Sequence, residues 1–275
     1  MRGLIVTADD FGLHARVNEA VERAHREGVL NCASLMVGAP AAYEAVKIAR
    51  ASPGLRVGLH LVLADGYATS RPSDIPALVG EDGRFGDHMV RDGFRFFFLP
   101  HVRRQLAREI RAQFDAFAAT GLMLDHVNAH KHFHLHPTVL SLVLQIGREY
   151  GMRAMRLPFE IGAPRALRPW MALMRARLAR AGIAHNDRVL GMGASGAMDE
   201  DALLRALEDL PPGVTEIYLH PATPGDMPIT PSMRDYRHSD ELAALLSPRV
   251  AAAIASTGAV RGGFSDVCVP ASRDR

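Results

Sequence analysis

Short apolar runs alternate with segments of helical period almost from the first residue, and this alternation restricts the chain to a parallel sheet covered by helices. Leu4 to Ala8 reads as a buried strand; Val17, Ala20, Val21 and Ala24 then recur at helical spacing until Gly28 ends the pattern. Asn31 to Val37 reads as a second strand, Ala41 to Ala51 as a second helix and Val57 to Leu63 as a third strand. A β-α-β-α-β series with right-handed crossovers leaves a barrel or a doubly wound sheet as the candidates. The rhythm continues in strands expected at Leu122 to Asn128, Arg153 to Leu157, Asp187 to Gly191, Thr215 to His220 and Val260 to Phe264. Helical patterns lie between them, the clearest being the stripe Val102, Leu106, Ile110, Phe114 and Phe117. With 275 residues, 48% of them hydrophobic, one domain over 1–275 can bury a large core.

One stretch departs from the pattern. Residues 64–100 scatter Pro, Gly and Asp over a length too great for a routine connection, and long insertions at strand ends usually carry specificity. Within it Phe94, Phe96, Phe97 and Phe98 supply four of the eleven phenylalanines. They form either a satellite core that holds the insertion down or an apolar wall for a hydrophobic substrate. A second unusual segment runs from Arg165 to Arg180, with five arginines, no acid, and Trp170, Met171 and Met174 between them. That composition suits an interfacial helix drawn to anionic headgroups, or a barrel helix with a solvated basic face.

Five of the thirteen histidines fall between His126 and His136. Read as an extended segment, His130, His132, His134 and His136 alternate at a period of two and share a face, so that two or more imidazoles converge on one point. Neutral imidazole is the commonest transition-metal ligand, and with one carboxylate such a set suits zinc or a similar divalent ion. Asp9 and Asp10 follow the first expected strand, His60 closes the third, His130 follows the fourth and His220 ends a later one. Each has an ordinary reading: a helix cap for the aspartates, a core histidine at position 60, a backbone bond for His220. Parallel strands closed into a barrel, however, put all these ends on one face, where barrel enzymes place their chemistry. Arg156, just before Leu157 and Pro158, could orient Asp9 or bind substrate.

The motifs Thr7-Ala8-Asp9-Asp10-Phe11-Gly12, Val57-Gly58-Leu59-His60-Leu61, His130-Lys131-His132-Phe133-His134 and Leu219-His220-Pro221 resemble, in order, those of the YdjC/ChbG-type carbohydrate deacetylases. The wording around Asp9, Ala33 to Pro40 and Asp125 to Pro137 is most similar to the hopanoid-biosynthesis-associated HpnK branch. The resemblance implies an α/β fold, a distorted (β/α) barrel of the glycoside hydrolase/deacetylase type. It also implies removal of acetyl from an N-acetylated amino sugar, in that branch the N-acetylglucosaminyl headgroup of a hopanoid lipid. Carried over by position, Asp10, His60 and His130 would hold one divalent metal (Zn2+ or Mg2+), Asp9 would be the base and His220 the acid. Arg156, His132, His134, Phe96, Phe97 and Phe98 would contact substrate. Many relatives have Asp where this chain has Asn128, which removes a charge beside the expected ligands.

Net charge of +2 gives no general polyanion-binding surface, so nucleic acid is not an expected partner. Cys32 and Cys268 form no ligand spacing and read as small buried side chains. Met1 to Val6, followed at once by acidic residues, reads as a first strand and not a signal peptide, so the expected location is cytoplasmic, with a peripheral contact at the inner membrane face. The expected partners are an N-acetylated glycolipid or amino sugar and a second copy of the chain in a homodimer. Competing readings are a deacetylase of soluble N-acetyl oligosaccharides, a metal-dependent phosphoester hydrolase, which would want more carboxylates, and a non-catalytic glycolipid-binding protein.

Overall fold

The computed structural model describes residues 2–160 and 165–268. Seven parallel strands form one curled sheet: β1 (Arg2–Phe11), β2 (Cys32–Leu35), β3 (Arg56–Leu61), β4 (Val127–Ala129), β5 (Arg188–Leu190), β6 (Gly213–Leu219) and β7 (Val260–Arg261). The order is β4-β3-β2-β1-β6-β5, with β7 on the first residues of β1. Single parallel bridges, Val127 to Met155 and Ala154 to Ala184, carry the pairing past β4 towards the segment that becomes β5. The result is the expected distorted barrel, in which the strand expected at Arg153 to Leu157 is reduced to isolated bridges.

Period-two alternation sorts the side chains of the sheet. Leu4, Val6 and Ala8 face outward and join Val17, Ala20, Val21 and Ala24 of the helix Ala15–Glu27 in the large core between sheet and helices. The inward set is mostly polar: Thr7 and Asp9 on β1, Ser34 on β2, His60 on β3, His126 and Asn128 at β4, and Glu216 and Tyr218 on β6, with His220 just beyond. A small apolar plug of Ile5, Cys32, Ala154, Phe264 and Val267 closes the floor below them. Gly58 is required at its position, because a Cβ there would overlap the His126 ring.

Around the sheet lie helices at 42–51, 100–119, 137–147, 168–180, 200–208, 238–246 and 248–256. Their starts follow local chemistry: Pro100, Pro137 and Pro248 sit in first turns, and the Asp199 and Ser247 side chains accept from the exposed N–H groups of Ala202 and Arg249. Among the described residues, no helix is long and apolar enough to cross a membrane.

Two sequence expectations change. Residues 64–100 contain a further helix, Met89–Phe98, on which Phe96 turns inward against Phe133 and His136 while Phe94, Phe97 and Phe98 stay exposed. In the helix Arg168–Arg180, Met171, Met174 and Leu178 are buried and the half-buried Trp170 donates Nε1–H to the Leu135 carbonyl at 3.0 Å. The Met171, Met174 and Leu178 stripe is therefore packed on the barrel, while Leu173 stays half exposed. Arg168, Arg175 and Arg180 form the solvated face, and residues 161–164, just before the expected segment, lie outside the described ones.

Candidate metal centre and active site

Consecutive residues of a regular strand point to opposite faces, yet Asp9 and Asp10 are both buried at the same end of the barrel. The β1–β2 register shifts between Ala8 and Phe11, and Asp10 adopts φ 63°, a left-handed conformation that Asp tolerates better than most residues. This irregularity turns both carboxylates inward.

Asp10 Oδ1 lies 3.2 Å from His60 Nε2 and 3.0 Å from His130 Nδ1. The three side chains are buried and offer ligand atoms within 4.8 Å of one another. Asp10 Oδ2 is buried with no hydrogen-bond partner among the described residues. Two imidazoles and a carboxylate with a spare oxygen fit a divalent cation such as zinc, leaving coordination positions open. Burial alone would raise the Asp10 pKa, but His130 and His60 outweigh it and hold the carboxyl well below its usual range.

Asp9 is held differently. Arg156, fully enclosed, donates Nη1–H to Asp9 Oδ2 at 2.6 Å and Nη2–H to Oδ1 at 3.0 Å. The same guanidinium bonds both oxygens of Glu216, which also accepts from the Thr7 hydroxyl, and it lies over the Tyr218 ring. Burial pushes Asp9 up, and the Arg156 charge, with His60 and His220, pulls it further down, so it stays ionised.

His220 follows β6, nine-tenths buried, with Nδ1 unpartnered among the described residues. Burial lowers its pKa against the opposing pull of Asp10 and Asp9, so the ring is neutral at rest. Its backbone is fixed from behind: the Glu241 carboxylate accepts its N–H, and His238 Nδ1–H donates to its carbonyl. Glu241 also accepts from Met198 N–H, and burial raises its pKa to about 7.

These groups open into a cavity of about 340 Å³ lined by Asp9, His60, His130 and His220, with Tyr218, Tyr236, Met192 and Ser195 as further walls. Glu160 fixes one wall by accepting from the N–H groups of Gly191, Met192 and Gly193. A larger groove of about 640 Å³ beside Arg2 and Leu207 lies at the opposite end of β1.

The histidine run is not extended. Residues His130–Leu135 form short 3-10 turns, and Lys131 and His132 take φ 52° and 53°, so the period-two reading fails. His130 alone of the run reaches Asp10. His132 lines the cavity and touches Tyr218, whereas His134 is fully buried, bonds the Arg156 carbonyl and is pushed down to about 3 by burial and the Arg156 charge. Arg156, His134 and Phe96 are enclosed and present no surface to a substrate; Phe97 and Phe98 do, but outside the cavity. Sequence reasoning missed Glu216, Tyr218, Glu241, Glu160 and Tyr236. The first two carry a readable signal, because Glu216, Tyr218 and His220 alternate on one face of β6; Glu241 looked like any acid in a helix's first turn.

A second group of ligand-type residues, Cys32, Asp125 and His126, is also buried. Both Asp125 oxygens already accept hydrogen bonds there, from Phe264 N–H and His126 on one side and from Ser265 on the other.

A family model described as YdjC-like protein matches residues 3–256. A carbohydrate deacetylase of Brevibacillus brevis is 33% identical over 243 residues, covering 87% of this chain and 89% of its own length. A carbohydrate deacetylase of Geobacillus stearothermophilus is 34% identical over 263 residues, 94% of each chain. In three dimensions the chain superposes with a TM-score of 0.78 on an Enterococcus faecalis protein assigned by name to cellobiose-phosphate cleavage, at 23% identity and over 98% and 99% of the two chains. That likeness shows the shared fold.

Proposed function

The chain belongs to the YdjC-like family, and on that premise we propose that it is a metal-dependent carbohydrate deacetylase that hydrolyses the N-acetyl group of an amino sugar. The observation that carries the reading is an ionised Asp9, clamped by Arg156, sharing one cavity with His220 and with His60 and His130, the two histidines that cluster with Asp10. Amide hydrolysis needs an activated water, a polarised carbonyl and a protonated amine. A cation held by Asp10, His60 and His130 supplies the Lewis acidity that polarises the carbonyl and acidifies water.

The chain's own residues do the rest. Asp9, ionised and held in one orientation by Arg156, takes the proton of the attacking water and passes it on towards His220. His220, neutral at rest and with Nδ1 uncommitted, takes up a proton in the site and gives it to the departing amine. Arg156 keeps Asp9 in one orientation and does not touch substrate.

The cavity volume of about 340 Å³ is at the low end for ligand pockets, roughly 300–1,000 Å³. It suits a sugar headgroup more than a long polymer, with Tyr218 and Tyr236 as ring-stacking walls. The finer reading is an N-acetylglucosaminyl hopanoid, with the enzyme at the cytoplasmic membrane face. Its support is the exposed Phe94, Phe97 and Phe98, of which Phe97 lies 6.5 Å from His136 at the end of the histidine turn. A soluble N-acetyl oligosaccharide is the second reading, favoured by the names of the relatives. Acetate release from an N-acetylglucosaminyl lipid and from soluble chitobiose, with a parallel phosphate-release assay and metal analysis, tests the proposal. Phosphate without acetate would make the protein a phosphoesterase; neither product from metal-loaded protein would leave a binding role.

A further inference from the structure

We propose that Asp125, His126 and Ser34, buried on the far side of Asn128 from the metal cluster, are positioning residues that set the tautomer of His60. Their role rests on the reading of His60 as a metal ligand and concerns how this chain prepares that ligand.

Hydrogen-bond polarity propagates from the barrel floor upward. Asp125 can only accept: burial would raise its pKa, but His126 and Ser265 outweigh that and keep it ionised. Its oxygens receive Phe264 N–H at 3.0 Å, Ser265 N–H at 2.9 Å and the Ser265 hydroxyl, and Cys32 Sγ lies 3.6 Å away as a further donor. His126 Nδ1, 3.0 Å from Asp125 Oδ2, therefore carries its proton there. With the ring neutral, that leaves His126 Nε2 as the acceptor for the Ser34 hydroxyl, 3.0 Å away.

Having given its proton to His126, Ser34 Oγ accepts from Asn128 Nδ2 at 2.9 Å. The other Asn128 N–H goes to Asp9 Oδ1 at 3.2 Å. With both amide protons spent, Asn128 presents Oδ1 to His60 Nδ1 at 2.7 Å, and His60 must donate. That leaves His60 Nε2, 3.2 Å from Asp10 Oδ1, as the nitrogen free to ligate a cation once one is bound between them. A carboxylate at position 128 could not make this arrangement beside Asp9, because it has no proton for either Asp9 or Ser34. Asn128 thus fits a chain whose polarity is fixed at both ends, by Asp125 below and by Asp9 above.

The test uses the full chain labelled with 15N-histidine. In metal-free protein, at a pH where the ring's own nitrogen shifts report the neutral form, long-range proton–nitrogen correlations should show His60 protonated on Nδ1. Ser34→Ala removes the acceptor for Asn128, and Asp125→Asn can donate to His126 and so reverse the chain. Each variant, checked for folding by circular dichroism, should show a mixed His60 tautomer. Each should also bind Zn2+ roughly 10- to 100-fold more weakly in chelator competition, the usual effect of losing an outer partner of a ligating histidine. Parent protein with the His60 proton on Nε2 would overturn the proposal without any variant. So would folded variants with parental tautomer and parental Zn2+ affinity. A parent that has the Nδ1 tautomer but binds no Zn2+ would instead sink the metal reading and leave the polarity chain standing.

Discussion

Arg156 holds Asp9 with two guanidinium nitrogens, at 2.6 and 3.0 Å, from a position with no solvent exposure. Glu216 balances the same cation from the other side. Removing one member of such a buried network leaves charge uncompensated, which typically costs about 3–5 kcal/mol. Arg156→Met should therefore lower the denaturant midpoint substantially, and Glu216→Gln in the same chain should recover part of the loss. Arg156→Lys should keep the charge and lose the two-point grip, lowering kcat more than it raises KM. An Arg156→Met protein with parental stability would show that the network is not what holds this end of the barrel together.

Asp9→Asn should retain the metal and lose turnover by roughly 10²–10⁴-fold, the usual worth of a positioned base. His60→Ala and His130→Ala should instead lose the metal, because each removes one of three bonds. Metal content per chain, measured beside acetate release, separates the two outcomes. One metal per chain at parental affinity in His60→Ala would refute the ligand set.

Glu241 gives a pH signature. Its folded pKa, raised by burial to about 7 from 4.5, means that the folded protein binds this proton more tightly than the unfolded chain. The stabilising contribution is complete below pH 4.5 and is lost as pH rises through about 7. Each tenfold difference in proton affinity between the folded and unfolded chain is worth about 1.4 kcal/mol. The stability of the parent relative to Glu241→Gln should therefore fall between pH 4.5 and 7 and level off above. A pH-independent difference between the two proteins would mean that Glu241 does not titrate in this window.

The exposed phenylalanines and the arginine helix make opposite expectations. Phe94→Ser with Phe98→Ser, at positions 63% and 64% exposed, should change stability by less than about 0.5 kcal/mol each. The pair should raise KM several-fold for a lipid-linked substrate and leave a soluble disaccharide unaffected. Changing Arg175, Arg177 and Arg180 to Gln should leave co-sedimentation with anionic vesicles unchanged, since the apolar residues between them are packed on the barrel. Loss of vesicle binding in that triple variant would restore a membrane role for this helix.

The strand ends were legible in the sequence because a parallel barrel brings its carboxyl ends to one rim whatever the details of its helices. Alternation of apolar runs located β1, β3 and β6 within a few residues, and with them Asp9, Asp10, His60 and His220. The histidine run misled for a definite reason. Period two assumes an extended backbone, and two successive left-handed residues, Lys131 and His132, break that assumption with no glycine to announce it. Composition left both readings of the Trp170 segment open, because it does not say which way an amphipathic stripe faces. Glu216 was hidden in a strand otherwise read as apolar; its partner Arg156 was visible, but the pairing spans sixty residues and depends on how the sheet curls.

Lys131 gives that left-handed turn a wider meaning. Its ammonium reaches Asp65 at 2.9 Å and Asp87 at 2.6 Å, one near the start and the other near the far end of the loop that precedes the helix Met89–Phe98. A single side chain next to His130 thus staples both legs of the excursion to the candidate metal site. The excursion is consequently not an interchangeable cassette: a graft from a relative that lacks acids at these two places would strand a half-buried lysine beside the chemistry. Any engineering of substrate preference through residues 64–100 has to carry Lys131 along as part of the exchanged unit.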